Sequence, residues 1–525
     1  MFTEKRLSGW KALAVSAMVG VAMVAAGPAF AKADLDKLTI GGDAKVKYEF
    51  RTGATFGTTT SDLSAAAQRI RINVGYDLTP DVAFFAQLQD SRKYGSENCT
   101  FAGAVTAGGC VGDPAAAGVV AGIGKANQAG TGVDLHQGYI QVKNILHPGL
   151  SLKIGRQEIA FGDHRLFGSD SWSLVGNAFD GVRLTHAAPR ADVDLFWART
   201  SDNNSESVGS GTGTGPTSGV SFPGAGRRAG EDQDIYGAYV TLKPAEKWTV
   251  EPYFFWLADN RAASQTTSVI TNPQAADQKR GTLGGRINGK AAGLDFTTEV
   301  AYQFGSINAA SSGSAVNQRE RINAHAEAVK IGYTFEPVPM KPRLGFEFNY
   351  ASGDANNNSA GTNPHGGNFN TFENLFPTNH GKMGYMDLVA WKNMVGYSGT
   401  FDVKPSEKSK IEVKYSVFRL ANKLDNWYRG NQTIYATSCG TGIVAGCLEK
   451  RNEAASLGQE LDVHYWLTLK EKFKLEFGYG HFFSGEYLDK SRPAGGTRAA
   501  EARSTATFNQ NGDQNWGYVL AKVEF

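Results

Sequence analysis

Three things are scarce in these 525 residues: cysteine, net charge and long apolar runs. Four cysteines cannot build a disulfide scaffold at this length. A formal charge of +2, from 53 basic and 51 acidic residues, lacks the basic footprint of a nucleic-acid binder. Beyond residue 31 no stretch reaches the ~18 apolar residues that a spanning helix needs. Signatures of catalysis and metal binding are also missing. There is no G-x-S-x-G nucleophile elbow. GGRINGKA (284–291) has phosphate-loop spacing, but Ala291 stands where Ser or Thr is required. Asp354, Asn356 and Asn358 start like an EF-hand, yet Ser359 and His365 occupy its Gly and Glu positions. The nine histidines give no helical H-x-x-x-H pair, so no metal, cofactor or enzymatic role is expected. A content of 41% hydrophobic and 20% charged residues rules out a mostly disordered chain.

The apolar run that does exist is at the start. Residues 1–31 place Lys5, Arg6 and Lys11 before an apolar stretch (12–27) and an Ala29-Phe30-Ala31 cleavage site, the pattern of a secretory signal peptide. That leader holds three basic residues and Glu4, so the remaining chain, 32–525, carries 50 charges of each sign.

From Ile40 onward the dominant period is two. Ile40, Ala44, Val46, Tyr48 and Phe50 alternate with Asp43, Lys45, Lys47, Glu49 and Arg51; Ile70, Ile72, Val74 and Tyr76 alternate with Arg69, Arg71, Asn73 and Asp77. Such alternation gives a strand one apolar and one charged face. Eighteen runs of this kind follow one another, two of which (149–158 and 321–335) change phase midway, as a bulge would cause. The connections alternate in length. Eight are short (LTPD, NILHPG, HAAPRAD, KPAEKW, NGKAAG, EPVPMKP, KPSEKS, LKEKF) and nine are long. Loops sorted by parity, with an even strand count, predict an all-β fold. It is a single transmembrane antiparallel β-barrel of about 18 strands, with short periplasmic turns and long extracellular loops. Lipid cannot satisfy an open sheet edge, so the sheet must close. The last residues, WGYVLAKVEF, end a strand on Phe525, a terminal aromatic of the kind read by the barrel-assembly machinery. Cys99 and Cys110 share one long loop and Cys439 and Cys447 another, so two local disulfides are expected in an exported protein.

LKIGRQEIAFGDHRLFGSDSWSLVGNAFDGVRL (152–184), ENLFPTNHGKMGYMD (373–387) and GQELDVHYWLTLKEKFKLEFGYGHFFSGEYL (458–488) resemble the alginate export family of outer-membrane porins. These stretches correspond to that family's G-R-Q-E strand end, G-D-x-R-L loop, F-D-G-V-R-L strand, F-P-T-x-H…G-x-M-D loop and closing hairpin. The resemblance implies an eighteen-stranded barrel that moves solutes across the outer membrane of a Gram-negative bacterium, with alginate-like polysaccharide or oligosaccharide among the candidates. Arg156 and Arg183 are carried over from its motif as pore residues.

With the apolar face toward lipid, the charged face lines a pore, and Arg and Lys there favour anions. Lys45, Lys47, Arg69, Arg71 and Arg343 are expected on that wall beside acidic residues of mixed placement. The loop at 353–385 holds Phe369, Phe372, Leu375 and Phe376, and is expected to fold inward and narrow the pore. The function expected is passive passage of anionic or polar solutes; the alternatives are a surface-display barrel without transport or an outer-membrane hydrolase. Expected partners are outer-membrane lipid and lipopolysaccharide, anionic polysaccharide or small solutes, and periplasmic export proteins.

Overall fold

The computed structural model describes residues 34–53, 62–94, 133–201, 233–260, 278–310, 317–355, 368–432, 434, 454–490 and 512–525. The proposed leader, all four cysteines and most of 353–367 lie outside these residues. The first half of the wall runs β1 (Leu38–Thr52), β2 (Leu63–Thr79), β3 (Val82–Lys93), β4 (Asp134–Val142), β5 (Leu150–Gln157), β6 (Phe179–Ala187), β7 (Ala191–Ser201), β8 (Gln233–Ala245) and β9 (Trp248–Asp259). The second half runs β10 (Gln278–Ala291), β11 (Leu294–Ala310), β12 (Asn317–Thr334), β13 (Arg343–Ala351), the two-residue β14 (Asn368–Phe369), β15 (Met394–Ser406), β16 (Ser409–Arg419), β17 (Ser456–Lys470), β18 (Phe473–Ser484) and β19 (Gln514–Glu524). β14 belongs to a loop and runs parallel beside β12; β13 pairs directly with β15. The other eighteen strands form one antiparallel meander that closes where β1 pairs with β19, Tyr48 opposite Val519.

Phe525 finishes the seam. Its backbone exchanges two hydrogen bonds with Gly42, and a Cβ at residue 42 would lie 2.7 Å from the Phe525 ring, so glycine is required there.

The usual burial rule is turned inside out. On β1, Lys47 and Glu49 are 0% exposed while Val46 and Tyr48 are 42% and 47% exposed. Ile70, Phe84, Ile140, Ile154, Leu195, Leu283, Val300, Phe346 and Phe477 continue this outward apolar belt around the wall. Such a belt is stable in hydrocarbon and not in water.

Neither expected phase-switch bulge is present. β5 and β12 pair with their neighbours in unbroken register. Their outward rows change chemistry because the strands leave the lipid. On β12 the row reads Val329, Ile331, Tyr333 near the short turn, and Arg321, Asn323, His325, Glu327 toward the long loops. There the inward row becomes Ile322, Ala324, Ala326 and Ala328, all buried. The apolar core therefore lies inside the barrel, in its loop-side half, where segments 158–178, 370–393 and 420–432 pack against the wall.

Candidate functional site

Two loops that fold into the lumen define the site. In 370–393, Leu375, Asp387 and Asn393 take left-handed backbone, as do Gly381 and Gly384. Gly384 must lack a side chain, since a Cβ there would lie 2.3 Å from Glu460 Oε1. A loop buried in a barrel cannot leave its backbone polar groups unpaired. Wall side chains supply the partners. Arg51 Nη2 donates to the Met386 carbonyl (2.7 Å), and Glu460 Oε1 accepts from the Tyr385 and Met386 amides (2.6 and 3.0 Å). Lys414 Nζ donates to the Gly381 carbonyl (2.9 Å), and Gln303 bonds both backbone groups of Glu373. Segment 158–178 is held in the same way. Lys45 donates to the Ser171 carbonyl (2.6 Å), Ser91 to that of Leu174 (3.0 Å) and Arg71 to that of Val175 (3.1 Å). Arg165 reaches across the lumen to Glu347 (2.5 Å) and Asn349 (2.9 Å).

The two loops also join each other, through backbone bonds from Gly168 to Phe376, Phe376 to Leu166 and Thr378 to His164. Phe167 meets Phe376 with ring centroids 5.5 Å apart. Trp172 lies flat on His380 (3.7 Å, 2°), with the Lys47 ammonium 3.8 Å from the indole centroid on β1. His380 Nδ1 is 2.8 Å from Asp387 Oδ2. Burial pushes the Asp387 carboxyl up to about 8 and holds the His380 imidazole well below its usual range. Both shifts disfavour charge, so this contact is a neutral hydrogen bond within the 370–393 loop, beneath the Trp172 ring of the other loop.

The residues singled out from sequence fall into three groups. Lys45, Lys47, Arg69 and Arg71 face inward on β1 and β2 but are buried at the plug: Lys47 with Glu49 (3.0 Å), Arg69 with Asp43 (2.8 Å), Arg71 with Glu158 (3.3 Å) and Gln89. Arg183 and Arg343 line the more open half near the short turns, Arg183 with Asp194 (2.7 Å) and Arg343 doubly bonded to Asp295 (2.7 and 2.9 Å). Arg156 requires a correction. It shares the outward row with Ile154, at the loop-side rim, and pairs there with the exposed Asp180 (2.8 Å). Strand alternation overrides the motif, because residues 154 and 156 must share a face.

Phe372 is fully buried in the plug, and Phe376 is partly buried against Phe167 and Phe179. Phe369 sits apart with Ile307 and Ile322. His464 faces inward and bonds the Tyr518 hydroxyl (3.1 Å) within an aromatic network.

Sequence reasoning missed Arg165, Trp172, His380, Lys382 and Asp387. The signal was available. Arg165 and Trp172 belong to the first matched stretch and His380 and Asp387 to the second, and the structure brings these two stretches into contact.

A family model described as alginate export matches residues 36–501. Among solved structures, OccAB2 of Acinetobacter baumannii is 9% identical with a TM-score of 0.50, over 93% of this chain and 98% of that one. OccK11 (OpdR) of Pseudomonas aeruginosa is 11% identical at 0.48, over 93% and 97%. The outer membrane protein OprD from the same species is 8% identical at 0.46, over 93% of each chain. These likenesses concern the fold. No curated protein matches the sequence.

Proposed function

The chain belongs to the alginate export family and forms an outer-membrane β-barrel channel; from that premise we propose that it passes anionic or polar solutes passively along a charged lumen narrowed by its two inner loops. The observation that carries this reading is the inverted wall: charged rows face inward, closed off from lipid by an apolar belt. A charged, water-accessible lumen conducts ions, and the signs on its wall set the preference. On this reading Arg183 and Arg343 face the solute. Lys45, Lys47, Arg69 and Arg71 act one step removed, by fixing the loops that set the width, with Phe372 and Phe376 in the constriction. The family's name makes a uronate-bearing saccharide a candidate solute. A polymer needs the loops to withdraw further than a single sugar does.

The localisation reading adds export through the 1–31 leader, insertion assisted at Phe525, and loop clamps at Cys99–Cys110 and Cys439–Cys447. Planar-bilayer recording of the purified barrel tests the function. Stable single-channel conductance with a reversal potential on the anion side is expected, and Arg69→Ala/Arg71→Ala should alter it. Absence of conductance would return the chain to surface display, and lipid or peptide hydrolysis would make it an enzyme.

A further inference from the structure

Outside the lumen, the cations on the loop-side rim of the barrel divide into two arcs. From β3 to β8 each outward arginine holds a neighbouring aspartate: Arg92 with Asp90 (2.8 Å), Arg156 with Asp180 (2.8 Å) and Arg199 with Asp234 (3.0 Å). From β12 to β16 the pairing stops. Arg321, Arg419 and, just beyond β16, Lys423 are exposed and have no carboxylate within 4.0 Å among the described residues. The outward rows of β12, β13, β15 and β16 carry a single acidic residue, Glu327, and it lies 3.9 Å from His325.

Arg419 and Lys423 share a cleft of about 580 Å³ on the outer face, lined also by Val395, Tyr397 and Asn422. Arg419 ends the outward row of β16 (Ile411, Val413, Tyr415, Val417, Arg419), so its charge stands directly above the apolar belt. On β15, Val395 and Tyr397 lie opposite Arg419 and Val417. Tyr397 is 45% exposed and packs on Phe348 with ring centroids 5.4 Å apart. Aromatic residues at this height form the girdle between hydrocarbon and head groups. Opposite the Phe418–Arg419 step β17 carries an extra residue, and this bulge interrupts the regular pairing at the level of the cleft. Asn393 fixes the turn that brings Lys423 there. Its Oδ1 accepts from the Asn422 amide (2.8 Å), and its Nδ2 donates to the Asn422 carbonyl (3.0 Å).

We propose that this cleft seats a phosphate of a lipopolysaccharide in the outer leaflet, with the acyl chains lying on the apolar belt below. The chemistry of the cleft selects the occupant. It must be anionic, to meet two cations that lack a carboxylate. It must carry hydrocarbon, because Tyr397, Tyr415 and Val417 continue the site downward into the belt. It must also belong to the leaflet on the side of the long loops, since both cations stand at that end of the strands. A phosphorylated lipopolysaccharide meets all three conditions. The planar guanidinium of Arg419 takes two phosphate oxygens together, and the Lys423 ammonium meets another as a point charge. On the other arc an arginine would first have to leave its aspartate, so the lipid is held on one side of the barrel. The cleft lies outside the conduction path, and the proposal stands whether or not the barrel conducts.

Native mass spectrometry of the full barrel in detergent, titrated with lipid, measures the seat. Lipid A carrying both phosphates should bind saturably, and dephosphorylated lipid A and phosphatidylglycerol at least tenfold more weakly. Arg419→Gln and Lys423→Gln should each weaken lipid A binding about tenfold, the scale of one lost charge-assisted hydrogen bond. Arg419→Lys should lose less than Arg419→Gln, which separates loss of charge from misfolding. Arg199→Gln, on the paired arc, should bind lipid A as the unaltered barrel does. Equal binding of the dephosphorylated lipid, or binding unchanged in Arg419→Gln/Lys423→Gln, overturns the seat. Equal affinity for phosphatidylglycerol, or displacement of lipid A by an equal concentration of inorganic phosphate, overturns its assignment to lipopolysaccharide.

Discussion

The two halves of the lumen use the same residue types for different ends. In the loop-side half, Lys47, Glu49 and Glu460 are 0% exposed, and the cations point at backbone carbonyls and aromatic faces of the plug. In the half near the short turns, Arg183 and Arg343 keep 22% and 17% of their side-chain surface, and Asp295 beside Arg343 keeps 21%. A charge in the first setting is a fastener, because a buried ion is tolerated only where partners surround it. A charge in the second meets whatever passes. Basic residues in a pore are therefore not one population.

Removing the fastened region should have the largest effect. Replacing 370–392 by a short linker takes away the apolar plug and should raise single-channel conductance severalfold. Unchanged conductance would mean that the open half alone sets the width. Next comes Arg165→Met, which leaves Glu347 buried without its main cation. That costs on the order of 3–5 kcal/mol of plug docking, whereas Arg165→Met/Glu347→Leu should lose much less. Open-channel noise and thermal unfolding of single and double variants measure the difference. Equal losses would show that the pair bears no buried charge.

How much of this was legible in the sequence follows from periodicity. Wherever a strand pairs across the wall, alternation fixes which residues look inward, so Lys45 through Arg51 and Arg69 with Arg71 could be placed by counting. The same counting explains the phase changes once β12 is seen to project beyond the lipid belt. The plug has no period to count. Its shape depends on left-handed residues such as Asp387 and on wall groups far away in sequence, among them Arg51 and Glu460. No local pattern reveals that Trp172 will stack on His380. The apolar residues at 369–376 signalled an inward fold, but the second loop, 158–178, was read only as a motif.

The neutral His380–Asp387 contact within the 370–393 loop gives the third test. Asp387 ionises near 8 when docked, above the ordinary carboxylate value. A group raised in this way favours docking fully below about pH 4, and that contribution falls by about 1.4 kcal/mol per pH unit until about 8. The groups acting on it are Arg51, Asp170 and Lys47, with His380 in contact. Plug opening should become more frequent from pH 5 to 8, and Asp387→Asn should flatten the profile. A flat profile in the unaltered barrel would show that the plug does not move on this contact.

The smallest effects come from the arginines that the family motif supplied, and they separate inside from outside. Arg183 and Arg156 lie on neighbouring strands, each with one aspartate partner, Asp194 and Asp180. Arg156–Asp180 is exposed, and breaking it should cost about 0–1 kcal/mol of stability; Asp194 is buried and keeps the Thr185 hydroxyl when Arg183 is lost, so stability cannot show which arginine meets the solute. Position can. Arg183 faces the lumen beside Phe161 and Lys153, so Arg183→Gln removes a charge from the conduction path and should move the reversal potential toward cations. Arg156 shares its row with Ile154 at the outer rim, separated from the lumen by the wall. Arg156→Gln should leave both conductance and selectivity unchanged at 0.15 M salt, where the Debye length is about 8 Å. An equal shift in both variants would mean that selectivity is set by the field of the loop-side mouth and not by the lumen wall, and the motif, not the strand alternation, would then be the better guide to function.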